Sequence, residues 1–392
     1  SESVLYERGY GNVYETLRSV AQSPAAWISA MRELLAKCCE TPGGVAIFSG
    51  DSTFIRRTEA VTLAERSYKR SRSGELLQGQ ESYWTMQIAD SMSSWCGVFK
   101  VERMVDKSVT ELAAAHLTLL DEQAHGLQLY VLDAGHGKAV LESYAACHHT
   151  DVVMRVKSNQ VFHGKPPVYK GKGRPALHGK RYKLAEMPEA EQTVTPEHKR
   201  VTLEVQRWSD LHYQGYADVH GRILRLRLLD NQGKPVHATP IWLFSTNTTL
   251  DPLLLAQAYL ARASHALTFR FMKQHLSLKN VQSPSLEHVD AHLNLVALAM
   301  NLLLASRDYL QPRPNPWYPR ASTKPVSQRH AQKVALPFFL KVSSPIKPPR
   351  PTGKGTGRPK GFTPKLRTRF PITRKTSTST SLCPTCPLRT AV

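Results

Sequence analysis

Five residues in one stretch carry the clearest chemical signal in this chain. Tyr259, Arg262, Ala266, Phe269 and Lys273 are spaced 3, 4, 3 and 4 apart in the run YLARASHALTFRFMKQHL. At about 3.6 residues per turn this spacing puts all five on one narrow stripe of a helix. Leu260, Ala263, Leu267 and Phe271 form an apolar stripe beside it, which is the face expected to pack. A Tyr-Arg-Lys line on a packed helix needs something charged to face.

Two carboxylates stand at positions that suit metal chemistry. The segment FSGDST places Asp51 at the expected end of a short apolar strand, and VLDAGHG places Asp133 at the expected end of another. Strand ends are where ligand groups collect in an open sheet. Two carboxylates there can share divalent cations, the hard-oxygen chemistry that clamps the attacking and leaving oxygens of a phosphodiester. Each Asp alone also reads as an ordinary turn cap at a strand exit. His136, three residues after Asp133, reads as a surface His at the rim.

The elements around these residues follow from periodicity. Residues 1–42 read as helical, with apolar residues at helical spacing from Val13 to Cys39. Val45–Phe48, Tyr83–Ile88 and Trp95–Val101 read as strands. Helix Val109–Gln123, strand Leu127–Leu132, helix Val140–Cys147 and strand Val152–Val156 follow. That order predicts an α/β fold, a mixed sheet with helices on its faces. Residues 163–183 form a basic loop punctuated by Gly and Pro. Val201–Trp208, Tyr213–Ala217, Ile223–Leu229 and Ile241–Phe244 alternate like antiparallel strands, with a turn at Asp230–Gly233. Helices are expected over Leu253–Leu278 and Leu286–Leu310. The expected division is 1–42, 43–162, 163–250, 251–310 and 311–392: an N-terminal helical segment, the first part of an α/β domain, a β-rich insertion, the closing helices and a tail.

Charge is distributed unevenly. The net charge is +21, and residues 311–392 hold 17 Lys and Arg with no Asp or Glu, leaving +4 for the rest. The same tail holds 15 of the 26 prolines. It reads as a basic arm without a core of its own, and it predicts a polyanionic partner, nucleic acid above all. Gly171–Pro175, centred on Arg174, and Gly357–Gly361, with Arg358 and Lys360, suit phosphate or minor-groove contact. The longest apolar run, Leu293–Ala305, is broken by Asn294 and Asn301 and reads as a buried helix rather than a membrane span. The six Cys show no disulfide framework, which points to a reducing cytoplasm; Cys383-Pro-Thr-Cys386 is half a zinc site, and Cys147-His148-His149 has ligands that point apart.

Taken together these motifs resemble the DDE transposases of bacterial insertion sequences. Their third-acid helix reads Tyr, two residues, Arg, three residues, Glu, six residues, Lys. Tyr259, Arg262 and Lys273 fit it, and Ala266 stands where the family has its metal-binding Glu. Asp51 matches the first acid and Asp133 the second; the segment VMRVKSN matches the strand after the second acid. Gly173-Arg-Pro175, His178-Gly179, Trp208, His212 and the tail segment GKGTGRPKG sit in phrases similar to one branch, which inserts a β-rich block before the third acid. The resemblance spans roughly residues 45 to 375. It implies an RNase H-like core and two Mg²⁺ ions (Mn²⁺ substituting) on Asp51 and Asp133. It implies Tyr259, Arg262 and Lys273 on DNA near the scissile phosphate, double-stranded element ends and target DNA as partners, a homodimer on paired ends, and a nucleoid-associated bacterial protein. No Asp or Glu occurs between Asp251 and Glu287, so no register shift restores the third acid. The expected outcome is a fold that grips DNA with strand cutting and joining severely reduced. A catalytically silent DNA binder or repressor is the alternative, and RNA binding through the tail is a third.

Overall fold

The computed structural model describes residues 24–57, 65–71, 73–90, 95–136, 139–169, 171, 173–198, 201–281, 285–309, 327–329 and 331–332. Helix α1 (Pro24–Cys38) precedes a meander of β1 (Ala46–Arg56), β2 (Ser67–Arg70), β3 (Leu76–Ile88) and β4 (Cys96–Arg103). Then come α2 (Val109–Glu122), β5 (Gln128–Leu132), α3 (Val140–Tyr144) and β6 (Thr150–Arg155). Strand β1 pairs antiparallel with β3 and parallel with β5, and β5 pairs parallel with β6. The result is the mixed sheet flanked by helices that the element order and the resemblance imply. Strand β5 is buried along its whole length, as expected of a parallel strand covered on both faces. Helix α2 starts at a capping box: the Ser108 side chain accepts from the Glu111 N–H, and the Glu111 side chain accepts from the Ser108 N–H.

The β-rich segment does not stand apart from this sheet. Strands β7 (Val161–His163), β8 (Arg181–Lys183), β9 (Gln192–Val194), β10 (Glu197–His198), β11 (Val201–Tyr213), β12 (Gly221–Leu229) and β13 (Ile241–Ser245) follow β6. Strand β13 pairs antiparallel with β6, and the described strands join in one sheet. Strand β11 runs on to Tyr213 through a bulge between Trp208 and Leu211, where Asp210 has φ 54°. The strand expected at Tyr213–Ala217 is therefore a turn, with Gly215 at φ 89°. A left-handed glycine there reverses the chain before it can extend. Two elements are also corrected in length: β1 and β3 are longer than their apolar runs, because half-buried polar residues continue the ladder.

Three helices complete the described core: α4 (Pro252–Ala261), α5 (Ala263–His275) and α6 (Leu286–Ser306). Helix α6 has 21 residues and is apolar enough, by length and composition, to cross a membrane. It packs against β4 and α1. Its Asn301, fully buried, explains the polar break in the apolar run. The Asn301 side chain accepts from the Val98 N–H at 2.6 Å and donates to the Val98 carbonyl at 2.8 Å. It thus satisfies the open side of β4, which among the described residues pairs only with β3. Residues 1–23 lie outside the described residues, as does nearly all of the basic tail with Arg358, Lys360, Cys383 and Cys386. Where the tail is described, it packs against α5. Ala331 is buried, and Gln328 donates to Thr268 Oγ1 on α5 at 3.0 Å.

Four imidazoles cluster where β7, the following loop, β11 and the entry to β12 meet. His178 Nδ1 lies 2.9 Å from His212 Nε2, and the His163 ring stands 4.7 Å from His178 between centroids. His220 meets His212 edge-on at 5.3 Å. His212 is fully buried; burial first, then the neighbouring histidines, push its pKa from 6.5 down to about 4. The folded chain thus refuses a proton that the unfolded chain accepts. Stability from this group is full at neutral pH and is lost as pH falls from about 6.5 towards about 4.

Two outcomes follow. Asn301→Leu leaves both Val98 backbone groups unpaired and should destabilise the fold by about 2–4 kcal/mol in denaturant titration. His212→Phe should flatten the acid dependence: between about pH 7 and pH 5 its melting temperature should fall less than that of the unaltered chain.

Candidate active site

Asp51 and Asp133 are brought together by strand register. Ser49 pairs with Val131 in the parallel β1–β5 ladder, so two residues further on the two aspartates stand side by side. Asp51 is not at the end of its strand, as the apolar run suggested. It sits inside β1, opposite Trp84 of β3, at the point where neighbouring β5 stops. Each carboxylate accepts from the next backbone N–H, Ser52 at 2.8 Å and Ala134 at 2.9 Å. The turn-cap role and the paired role therefore coexist. Just beneath, a Cβ on Gly50 would lie 2.1 Å from the Tyr83 hydroxyl and 2.4 Å from the Tyr130 hydroxyl. Only glycine lets β1 pass over that buried tyrosine pair, whose hydroxyls are 2.8 Å apart.

The expected single helix is two helices joined at Arg262. The Arg262 N–H donates to the Tyr259 carbonyl and the His265 N–H to the Arg262 carbonyl, both three residues apart. These short-range bonds tighten the turn with no Gly or Pro present. Helix α4 packs on β5, β6, β11 and β12, whereas α5 packs on β1, β3 and β4. The junction therefore lies over the β1–β5 boundary. From it Arg262 Nη1 reaches Asp51 Oδ2 at 3.2 Å and Nη2 reaches Asp133 Oδ2 at 2.9 Å. One guanidinium spans both carboxylates.

The rest of the stripe faces the same ground despite the junction. The Tyr259 hydroxyl donates to Asp133 Oδ1 at 3.5 Å, and the Tyr259 ring lies 5.8 Å from the Arg262 guanidinium. Burial and then Asp133 raise the Tyr259 pKa. Phe269 packs edge-on to Trp84 at 5.9 Å. Lys273 donates to the Phe54 carbonyl of β1 at 3.2 Å, and burial lowers its pKa. Ala266, by contrast, is exposed. The apolar stripe beside it is corrected too. Ala263 and Leu267 are exposed, and the packed face of α5 is Ser264, His265, Thr268, Phe269, Phe271 and Met272. Hydroxyl and imidazole groups turn inward because strand partners await them. His265 Nδ1 lies 2.8 Å from Ser49 Oγ, and burial pushes the His265 pKa down to about 3.

Three further side chains border the site; the sequence singles out His136 and Arg155 and misses His265. His136 is buried rather than at the surface; its N–H and Nδ1 both meet the Asp133 carbonyl, and its ring packs on Tyr83 at 5.7 Å. Arg155 Nη1 stands 3.8 Å from Asp133 Oδ1. Its place at the end of β6, next to β5, was the available signal. His265 gave none, since a lone His at that spacing carries no periodic meaning. Arg174 lies exposed in the loop between β7 and β8 and joins none of these groups. The residues of Cys147-His148-His149 do not converge: the His148 and His149 N–H groups donate to the Asp121 carboxylate.

The fit to a divalent cation is incomplete. Asp51 and Asp133 are hard oxygen donors of the right kind. Among the described residues no third carboxylate, imidazole or thiolate gathers with them, and a guanidinium fills the space between them.

The family follows from one comparison with known proteins. A family model described as a transposase DDE domain matches residues 47–302, which span β1 through most of α6. No curated protein matches the sequence. Among solved structures, a piggyBac transposase synaptic complex with hairpin DNA is similar over 80% of this chain and 57% of that one, at 9% identity and a TM-score of 0.36. With both strand-borne aspartates, the helix junction above them and nearly the whole mixed sheet inside the matched region, the chain belongs to the DDE transposase family.

Proposed function

We propose that this chain is a DNA-binding member of the DDE transposases in which strand cutting is lost. The family cuts and joins DNA at element ends with divalent-metal phosphodiester chemistry, Mg²⁺ with Mn²⁺ as substitute. In that scheme Asp51 and Asp133 are the two acids this chain retains. The observation that carries the reading is position 266. An exposed methyl stands on α5 where the pattern calls for a carboxylate, and no acid occurs between Asp251 and Glu287 to replace it. A two-ion site short of one charged ligand holds its second ion poorly.

DNA binding has separate support. Arg262, Arg155, Tyr259 and Lys273 form a cationic and hydrogen-bonding rim around the carboxylates. Arg174 is exposed on a Gly/Pro loop, and the tail carries 17 cationic residues, Arg358 and Lys360 among them. Such a set binds phosphate through counterion release, so affinity falls steeply with salt. Paired element ends, as in the family scheme, would bring two copies together.

The test uses duplexes carrying the ends of the DNA segment that encodes the chain. The unaltered protein should shift them at low salt and release them as salt rises, with no nicking in Mg²⁺ or Mn²⁺. Ala266→Glu should bind equally well and gain nicking by about a hundredfold or more over the unaltered chain, the scale expected when a missing charged ligand is restored. Nicking by the unaltered chain at the rate of the Glu variant would favour the second reading, an active transposase, to which the intact Asp51–Asp133 pairing lends its support.

A further inference from the structure

A pair of ionised carboxylates on adjacent parallel strands is costly unless a cation offsets it, because each charge raises the cost of the other. The family answers this with divalent metal. Without metal, the Arg of the same helix motif does so here. Arg262 is only 18% exposed and reaches one oxygen of each aspartate, at 3.2 and 2.9 Å. The fork geometry of a guanidinium suits two carboxylates at once, as an ammonium does not. Its position is fixed from behind by the Tyr259 ring and by the tightened helix turn. Burial lowers the pKa of both nearby imidazoles, His136 and His265. Arg155 adds a second, more exposed cation on the outer side of Asp133.

We propose that Arg262 is the resident counter-cation of the Asp51–Asp133 pair, occupying the role of the divalent metal so that the site is structurally complete without one. The proposal rests on reading these aspartates as the family's acid pair. In this chain the junction Arg locks β1, β5 and the α4–α5 helices together, and a metal ion must displace it to enter.

The experiment is direct Mn²⁺ binding on the full chain without DNA, read from the free-ion electron paramagnetic resonance signal, with thermal melting in chelator and in millimolar Mn²⁺. The unaltered protein should bind Mn²⁺ weakly and melt at the same temperature in both. Arg262→Gln should melt lower in chelator, recover with Mn²⁺, and bind Mn²⁺ about tenfold more tightly or better. Asp51→Asn combined with Arg262→Gln removes the repulsion and should show neither the loss nor the recovery. Equal Mn²⁺ affinity in the unaltered and Arg262→Gln chains overturns the proposal. So does an Arg262→Gln chain that melts normally in chelator, or one that stays unfolded with and without Mn²⁺ while the double variant folds. None of these readouts involves DNA, so failure of the DNA-binding reading shows itself separately, in the duplex shifts.

Discussion

Two like charges held side by side by backbone hydrogen bonding are the constraint around which this fold is arranged. The β1–β5 ladder fixes Asp51 beside Asp133, and a slip of either strand by one residue would turn one carboxylate to the opposite face of the sheet. The pair therefore needs a cation delivered from outside the sheet. The chain delivers it by laying one apolar helix over β5 and β6, another over β1 and β3, and tightening the turn between them. Gly50 serves the same end from below, since any side chain there would collide with the tyrosine pair and lift Asp51 out of register.

This arrangement explains why polar side chains replace apolar ones on the inner face of α5. Ser49 on β1 is fully buried and needs a partner, and His265 supplies it. Thr268 likewise meets Gln328 from the tail. A helix seated over a charged site must satisfy the strand hydroxyls beneath it, because an unpaired buried hydroxyl costs more than the packing a methyl would add. The Leu267 side chain, apolar yet exposed, is the counterpart: the face it would have used is already committed.

Much of this was legible in the sequence, and the remainder fails for definite reasons. Asp51 and Asp133 were readable because short apolar runs bounded by Gly mark buried strands, and the Tyr259–Lys273 spacing was readable because helical periodicity survives one tightened turn. The split at Arg262 was not, since no Gly or Pro marks it and it arises from packing on two different parts of the sheet. The extent of β1 and β3 and the turn after Tyr213 depend on ladder partners distant in sequence. The join between β13 and β6 is of the same kind: Leu243 meets Arg155 across almost ninety residues. His136 looked like a surface residue because a Gly-flanked His usually is. Its burial comes from Thr110 and Tyr83 closing over it, contacts that leave no local pattern.

Charge balance at the site bears on how DNA can approach. Two uncompensated carboxylates would repel phosphate, and in a metal-dependent relative the ions reverse that sign. Here Arg262 and Arg155 already offset Asp51 and Asp133, with Tyr259 and Lys273 at the edge. The local field is therefore near neutral or positive before any metal arrives, while the excess of 17 cationic residues in the tail acts at longer range. On the proposed reading, attraction of DNA and chemistry on DNA are thus separable in this chain. The first needs only groups that are present. The second needs a carboxylate at position 266 and the withdrawal of Arg262 from between the aspartates. Restoring the acid adds a charged ligand that draws the metal in against that guanidinium, so the two positions form one coupled unit.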